Sequence, residues 1–457
     1  MYPITTSIFE LLKIGPGPSS SHTIGPMRAG RNFYELVCSQ SPEMLDKAEK
    51  IEVHLYGSLS ATGRGHGTHK AALAGLLGQN PATCPCAFLD DLFKTPGAAY
   101  QINLPGKCIA ITEKDIVFDD ILAQFPFTNT MVIQLLDAGG TVLLEREYYS
   151  PGGGFIQWKG WRPPKRGKPA HPYETMDDFQ QIIRGKGLTL EQVMLDNEQA
   201  VTGATRQEIN TGLDHILAAM EAAVDHGLNT EGVLPGPLGL RRKASSLFER
   251  LRHRESGMGR LMLALDAYAF AAAEENAAGH ILVTAPTLGA AGVLPSVVTV
   301  LKRHMHIDKE KLRRGMLAAA LVGFLCKHNA SIAGAEVGCQ GEIGVATAMA
   351  AAFITEANGF PPDVVENAAE TALEHQLGLT CDPINGQVQV PCIERNAVGA
   401  VKAYNACLIA TMESPGAHIM SLDQVIWAMA ETGKDMSRKY KETSEGGLAL
   451  TLAKPSC

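Results

Sequence analysis

The chain has 457 residues, with 40 Lys and Arg against 48 Asp and Glu, and only 19% of it is charged, below the roughly 25% of an ordinary soluble protein. Its 45% hydrophobic content is enough for a sizeable core, which excludes a disordered chain, and at about 150 residues per domain the length allows two to four domains. A net charge of −8 argues against a nucleic-acid or acidic-membrane binder, which needs surplus Lys and Arg, and leaves small molecules and copies of itself as partners.

In chain order, the start places Glu10 and Lys13 inside its only apolar run and shows no basic leader or small-residue cleavage site, so a cytoplasmic location is expected. Next comes Gly15-Pro16-Gly17-Pro18-Ser19-Ser20-Ser21-His22-Thr23, ahead of a helix expected from Ile24 to Leu36. Three hydroxyls, an imidazole and helix N–H groups suit a carboxylate or phosphate; a plain helix cap is the other reading. A second loop, Gly63-Arg64-Gly65-His66-Gly67-Thr68-His69-Lys70, is too rich in glycine to be expected in buried structure and reads as a site loop. Ile51 to Tyr56, Met131 to Leu136 and Thr141 to Leu144 read as strands, so the first part of the chain is an α/β module.

Between Lys159 and His171, KGWRPPKRGKPAH combines Pro, Gly and five Lys or Arg residues and reads as a surface connection. From about Thr189 the pattern becomes Ala-rich and helical, including Leu312 to Lys327, Ile343 to Ala357, Val364 to Leu377 and Asn396 to Met412. Gly359, Gly378 and Gly433 stand where C-terminal caps are expected. Low charge on these helices also points to a subunit interface, with a homodimer expected. The charge-free stretch Ile281 to Leu301 is long enough to span a bilayer, but Pro286, Gly289, Gly292 and Pro295 interrupt it; a loop followed by a buried helix start is expected. The fold class is therefore α+β in two domains, with boundaries at 1–157, a linker 158–188, and 189–457.

Ten cysteines are too sparse for a disulfide scaffold. Three stand in polar, Gly- or Pro-bearing loops: Cys339 in Gly334 to Glu342, Cys381 in Gly378 to Pro383, and Cys392 in Val390 to Asn396. Such loops suit metal ligation, because glycine admits a bulky inorganic group and following helix N–H groups can donate to sulfur. Their intervals of 42 and 11 residues match no local zinc or ferredoxin pattern, so ordinary structural cysteines stay open as the other reading. Cys457, the last residue, is either a free end or a displaceable ligand. Cys38, Cys84, Cys86, Cys108, Cys326 and Cys407 read as ordinary small residues.

Taken together, Gly17 to Thr23, Tyr56-Gly57-Ser58-Leu59, Asn229-Thr230-Glu231-Gly232-Val233-Leu234-Pro235-Gly236-Pro237, Glu274 to Gly279, Thr284-Ala285-Pro286-Thr287 and the three cysteine loops resemble the bacterial single-chain, iron–sulfur-dependent L-serine dehydratases over nearly the whole chain. The resemblance implies a β-chain-like domain similar to an allosteric substrate-binding domain, joined to a helical α-chain-like catalytic domain. It implies a [4Fe–4S] cluster on Cys339, Cys381 and Cys392, with Cys457 capping the open iron until substrate displaces it. L-serine would lose water and then ammonia to give pyruvate, without pyridoxal phosphate, and a regulatory amino acid would bind the N-terminal domain. The base stays open among His22, His66 and Ser21. Ser19, Ser20, Asn229, Thr230 and Thr287 are candidates for substrate binding, and Glu336 for orienting a loop or moving a proton. Three departures stand out: Leu288 where the family has Asn, His69 where it has Asp, and Ala333 where it has Ser. The first keeps L-threonine, or another β-hydroxy amino acid, open as substrate; a non-enzymatic metal and amino-acid sensor is the remaining reading.

Overall fold

The computed structural model describes residues 3–253, 258–414 and 417–451. Its strands are β1 (Ile14–Pro16), β2 (Ala48–Gly57), β3 (Tyr100–Leu104), β4 (Lys107–Ile111), β5 (Ile116–Phe118), β6 (Asn129–Asp137), β7 (Val142–Tyr149), β8 (Gln157–Trp158) and β9 (Ile281–Val283). The N-terminal α/β region rests on a five-stranded sheet in the order β5-β2-β6-β7-β8. Along β2, Ile51, Val53 and Leu55 are buried while Glu52, His54 and Tyr56 keep access to solvent, the two-residue alternation of a sheet with one face on a core. Antiparallel β6 sets Leu135, Ile133 and Met131 opposite those three residues, so the buried faces of both strands coincide. Helices Gly25–Cys38 and Thr68–Leu76 complete this core. They cross where glycines allow it, since a Cβ on Gly75 would stand 2.1 Å from the Met27 carbonyl oxygen.

The C-terminal region is mostly helical, and helix Ile343–Ala357 lies at its centre. Every residue from Ile343 to Thr355 is buried, as expected for a helix apolar on all sides. Helices Lys309–Asn329, Pro362–Glu374 and Cys392–Met412 surround it. The helix starts are written locally: Thr189, Thr205 and Ser421 form capping boxes with Gln192, Glu208 and Gln424, each of which satisfies two otherwise unpaired N–H groups.

Most expected elements form, and the exceptions have physical causes. Ile281 to Leu301 is β9, a loop, and the start of the buried helix Val293–Arg303; among the described residues no single helix is long and apolar enough to cross a membrane. Gly359 and Gly378 follow their helices with positive φ, but Gly433 is not a cap. It lies inside helix Leu422–Asp435, where a Cβ would stand 2.6 Å from the Val337 side chain; close packing, not chain reversal, requires glycine there. Residues 159–171 carry no helix or strand, and Arg166 pairs with Glu10. The later part of the expected connection, however, forms helix Met176–Lys186 with Thr175 as its cap.

The two regions are threaded together. Ile4, Ile8, Leu11 and Leu12 are buried in the helical core, not the α/β core, and Glu198 accepts from the Ser7 hydroxyl at 2.5 Å and the Ile8 N–H at 3.0 Å. β1 then pairs antiparallel with β9, so the serine–histidine loop that follows is launched from the surface of the helical region. Thr284 secures the launch by donating to the Leu11 carbonyl and accepting from the Lys13 N–H.

Candidate active site

The three expected thiols converge. Cys339 lies in a short turn before the central helix, whose N-cap is Glu342. Cys381 is held by the chain's last described segment, with Cys381 N–H donating to the Tyr440 carbonyl and Glu442 N–H donating back to the Cys381 carbonyl, both at 2.7 Å. Cys392 opens helix Cys392–Met412. One turn on, Asn396 accepts from the Gly292 N–H at 2.8 Å and donates to the Gly289 carbonyl at 2.9 Å, which ties the Thr287 loop to the same helix. All three cysteines are buried.

The carboxyl of Glu342 lies 3.8 Å from Cys339 Sγ and 3.9 Å from Cys381 Sγ. Gly334 borders the group: a Cβ there would come within 2.8 Å of Glu342 Oε2 and 3.1 Å of Cys381 Sγ. Arg395 lies beside the thiols, donating to the Thr380 carbonyl and reaching Asp382; burial opposes its charge, but Cys339, Cys392 and Asp382 raise its pKa overall. Burial and the nearby Glu442 carboxylate push Glu342 up to about 8. Burial and Cys339 push Glu442 up to about 8. Hydrogen bonding to Cys339 and burial raise the Cys381 thiol well above its ordinary range. Such a crowd of acidic protons and soft donors fits a cation-rich inorganic group that takes thiolates.

Facing the thiols is a histidine layer from the α/β region. Ser20–Ile24 form one π-helical turn, capped by Ser19, whose hydroxyl accepts from the His22 N–H; π turns recur at functional sites. The turn buries Ser20, Ser21 and His22 completely. His22 Nε2 lies 3.0 Å from the Ser58 carbonyl, which can only accept, so that nitrogen carries the proton. Nδ1 is then the acceptor, with Ser21 Oγ at 2.9 Å and Glu442 Oε1 at 3.4 Å. Thr62 Oγ1 adds a contact of 3.0 Å to Nε2. Burial lowers the His22 pKa to about 4, so the ring is neutral near pH 7. His66 meets it edge to face at 4.4 Å, also neutral through burial and the neighbouring His22, and its Nδ1 has no partner.

The second histidine loop carries its imidazoles inward, deeper than its glycine content suggested, while Arg64 stays exposed. His66 and His69 are both buried, and Gly65 presses on the turn between Cys381 and Cys392: a Cβ there would lie 2.6 Å from the Gly386 carbonyl oxygen. Glycine serves close backbone approach between the two regions.

Other candidates are distributed. Ser19 caps the π turn, and Ser21 bonds both His22 and, through its carbonyl, Ser150. Thr287 Oγ1 is buried without a partner, in the loop whose Gly289 faces Glu342. Asn229 and Thr230 hydrogen-bond back into their own helix, to Asp225 and His226, and are not among the partners of the thiols or of His22. Glu336 accepts from Ser331 at 2.5 Å, the loop-orienting role. Leu288 lies in the helical core. Cys457 lies outside the described residues. The motif Glu274 to Gly279 supports the site from behind: Asn276 donates to the Pro18 carbonyl at 2.8 Å, and Glu274 receives the Lys243 N–H at 2.6 Å.

Glu342, Glu442 and Arg395 were not singled out from sequence. Two lie inside motifs quoted for their cysteines, whereas Glu442 has no motif around it. Its mark is conformational, since Glu442 and Ser444 both have positive φ, a strained geometry that clusters at functional sites.

A buried thiol triad thus lies beside a layer of two buried, neutral histidines where the two regions join. The serine dehydratase beta chain family matches residues 7–161 and the serine dehydratase alpha chain family residues 185–449. The chain is 44% identical to an L-serine dehydratase of Streptomyces coelicolor, 42% to one of Haemophilus influenzae and 39% to one of Helicobacter pylori, in each case over 98% of this chain and 99% of the relative. The chain belongs to the serine dehydratase family, with both family chains fused in one polypeptide.

Proposed function

We propose that the protein is an L-serine ammonia-lyase that converts L-serine into pyruvate and ammonia, with a [4Fe–4S] cluster held by Cys339, Cys381 and Cys392. The observation that carries this reading is the convergence of three buried thiols opposite two buried neutral imidazoles. The donor set supports a thiolate-bound cluster, and Gly334 keeps its edge clear. When bound through three thiolates, such a cluster supplies an open iron as a Lewis acid for a poor leaving group. Cys457 is the proposed displaceable cap of that position.

The chain's own residues supply the proton handling. His66 has a ring nitrogen without a partner and is neutral near pH 7, so it takes the α-proton, while His22, fully hydrogen-bonded, fixes its neighbour's position. Glu442, held protonated near neutrality, can give a proton to the departing hydroxyl, which leaves as water. The resulting aminoacrylate tautomerises to an imine, and a second water hydrolyses it to pyruvate and ammonia. Thr287, with its unpartnered hydroxyl, is the proposed contact to the substrate's oxygens. This route needs no pyridoxal phosphate.

The proposed division remains 1–157, 158–188 and 189–457, with a regulatory amino acid at the N-terminal domain. A homodimer is supported by the exposed apolar side chains Leu408, Ile409, Met412, Ile419 and Trp427, and a cytoplasmic location by the eight described cysteines that form no disulfide. Anaerobically prepared protein assayed with serine and threonine tests the activity. Pyruvate from serine well in excess of 2-oxobutyrate from threonine supports it; turnover of threonine alone, or of neither, overturns it.

A further inference from the structure

Beside His66 lies a cavity of about 320 Å³, roughly ten times the 30 Å³ that one water occupies in the liquid. It is lined by the two histidine loops and by Gln387 and Gln389, from the loop between Cys381 and Cys392. Four buried polar atoms on its lining residues have no hydrogen-bond partner: His66 Nδ1, His69 Nδ1, Gln387 Oε1 and Gln389 Oε1. Each of these side chains is more than nine-tenths buried. Buried acceptors left unmet by protein are met by something else.

The orientation of the Gln389 amide follows from its partner, while no hydrogen bond fixes the Gln387 amide, which is free to turn its oxygen to the cavity. Gln389 Nε2 donates to the Pro235 carbonyl at 2.7 Å, which can only accept, so the amide oxygen is the end left over. Gly236 leaves room for the other amide: a Cβ there would stand 2.0 Å from Gln387 Nε2. The segment Asn229 to Pro237 thus bears on this cavity through its Pro235-Gly236 end. An amide oxygen can only accept, and two of them here call for a ligand rich in donors. Lys70 adds a cation to the lining and Asp90 an anion, so the surroundings suit a zwitterion.

We propose that this cavity receives the ammonium group of an α-amino acid, with Gln387 Oε1 and Gln389 Oε1 as its acceptors, making these two glutamines specificity-determining residues. The inference rests on the serine dehydratase reading, since an ammonium held there brings the adjacent Cα–H to His66. It explains how a site built around oxygen-binding chemistry selects an amino acid over the corresponding hydroxy acid, which offers one donor where the ammonium offers three.

Calorimetric titration of the holoenzyme with L-alanine and with L-lactate tests this independently of turnover, because the two differ only in ammonium against hydroxyl. The unsubstituted protein should bind alanine at least tenfold more tightly, and Gln387→Leu and Gln389→Leu should each reduce that preference by about tenfold, the effect of one lost hydrogen bond to a charged group. In serine assays the same variants should raise KM by about tenfold with kcat within threefold. Gln387→Glu, which keeps the shape and adds a charge while leaving the Gln389–Pro235 hydrogen bond in place, should widen the alanine preference and serves where the leucine variants do not fold. Equal binding of alanine and lactate by the unsubstituted protein, or a preference that the folded variants leave unchanged, overturns the proposal. Absence of serine turnover with the alanine preference intact would instead count against the proposed reaction.

Discussion

The thiol side and the histidine side of the site are both buried, yet they solve opposite problems. Around Cys339, Cys381 and Cys392 the protein gathers groups that crowd one another's charge: Glu342 and Glu442 are pushed up to about 8, and Arg395 is the cation drawn among them. Around His22 it gathers neutral partners, a carbonyl and three hydroxyls that leave the imidazole satisfied and uncharged. One side crowds thiols and carboxyls together, whereas on the other His22 is fully hydrogen-bonded and His66 Nδ1 is left without a partner. In the proposed reaction, cluster binding falls to the helical region and α-proton abstraction to the α/β region; the two meet where β1 pairs with β9, where Gly65 lies against Gly386 and where Glu442 reaches His22.

Replacing Cys381 by Ser should break the comparison most completely. Loss of iron and sulfide and of more than about 99.9% of activity is expected, with helix content retained by circular dichroism; a variant that keeps its iron contradicts the assignment. Next in size, His66→Ala should keep the iron and its visible absorption while kcat falls by about 10²- to 10⁴-fold, the usual worth of a general base. Unchanged kcat would remove His66 from the reaction.

Two glycines sharpen the contrast at smaller cost. Gly65→Ala forces a Cβ onto the Gly386 carbonyl, and Gly433→Ala forces one onto Val337, two residues before Cys339. Each should cost about 1–3 kcal/mol by overpacking, read as a lower Tm. Gly65→Ala is expected to lower kcat with iron retained, and Gly433→Ala to lower iron content; the reverse pattern would show that the two sides are not separable in this way.

Acid tests the histidine side without a substitution. His22 and His69 are lowered to about 4 by burial, below the 6.5 of the unfolded chain. A depressed pKa contributes stability that is present above pH 6.5 and lost as pH falls toward 4. Unfolding in urea at pH 5 should therefore show a loss on the order of 2 kcal/mol per histidine relative to pH 8, and His69→Asn should remove one such share. A stability that does not fall between these pH values contradicts neutral buried imidazoles.

How much of this could be read from residues alone depends on whether the signal was local. The alternation in β2 and the apolar helix Ile343–Ala357 depend on neighbours in sequence, and each appears close to where it was expected; the capping boxes at Thr189 and Thr205 are equally local features that the structure adds. Cys339, Cys381 and Cys392 carried a signal in their polar loops, though their convergence depends on contacts across the fold. Glu442 carried none: it reaches the site because the C-terminal segment hydrogen-bonds to Cys381. Gly433 misled, since glycine marks both chain reversal and close packing, and only tertiary contacts tell them apart; the Gly63 to Lys70 loop differed from expectation only in how far His66 and His69 are buried.

The central claim is that three thiolates hold an iron–sulfur group beneath a proton-handling layer. Its most direct test is the iron and labile sulfide content of the anaerobically prepared protein, measured on the sample that is assayed with L-serine. The account predicts a brown protein with about four irons and four sulfides per chain that releases pyruvate and loses both colour and activity together in air; a colourless preparation that turns over serine at full rate would contradict it.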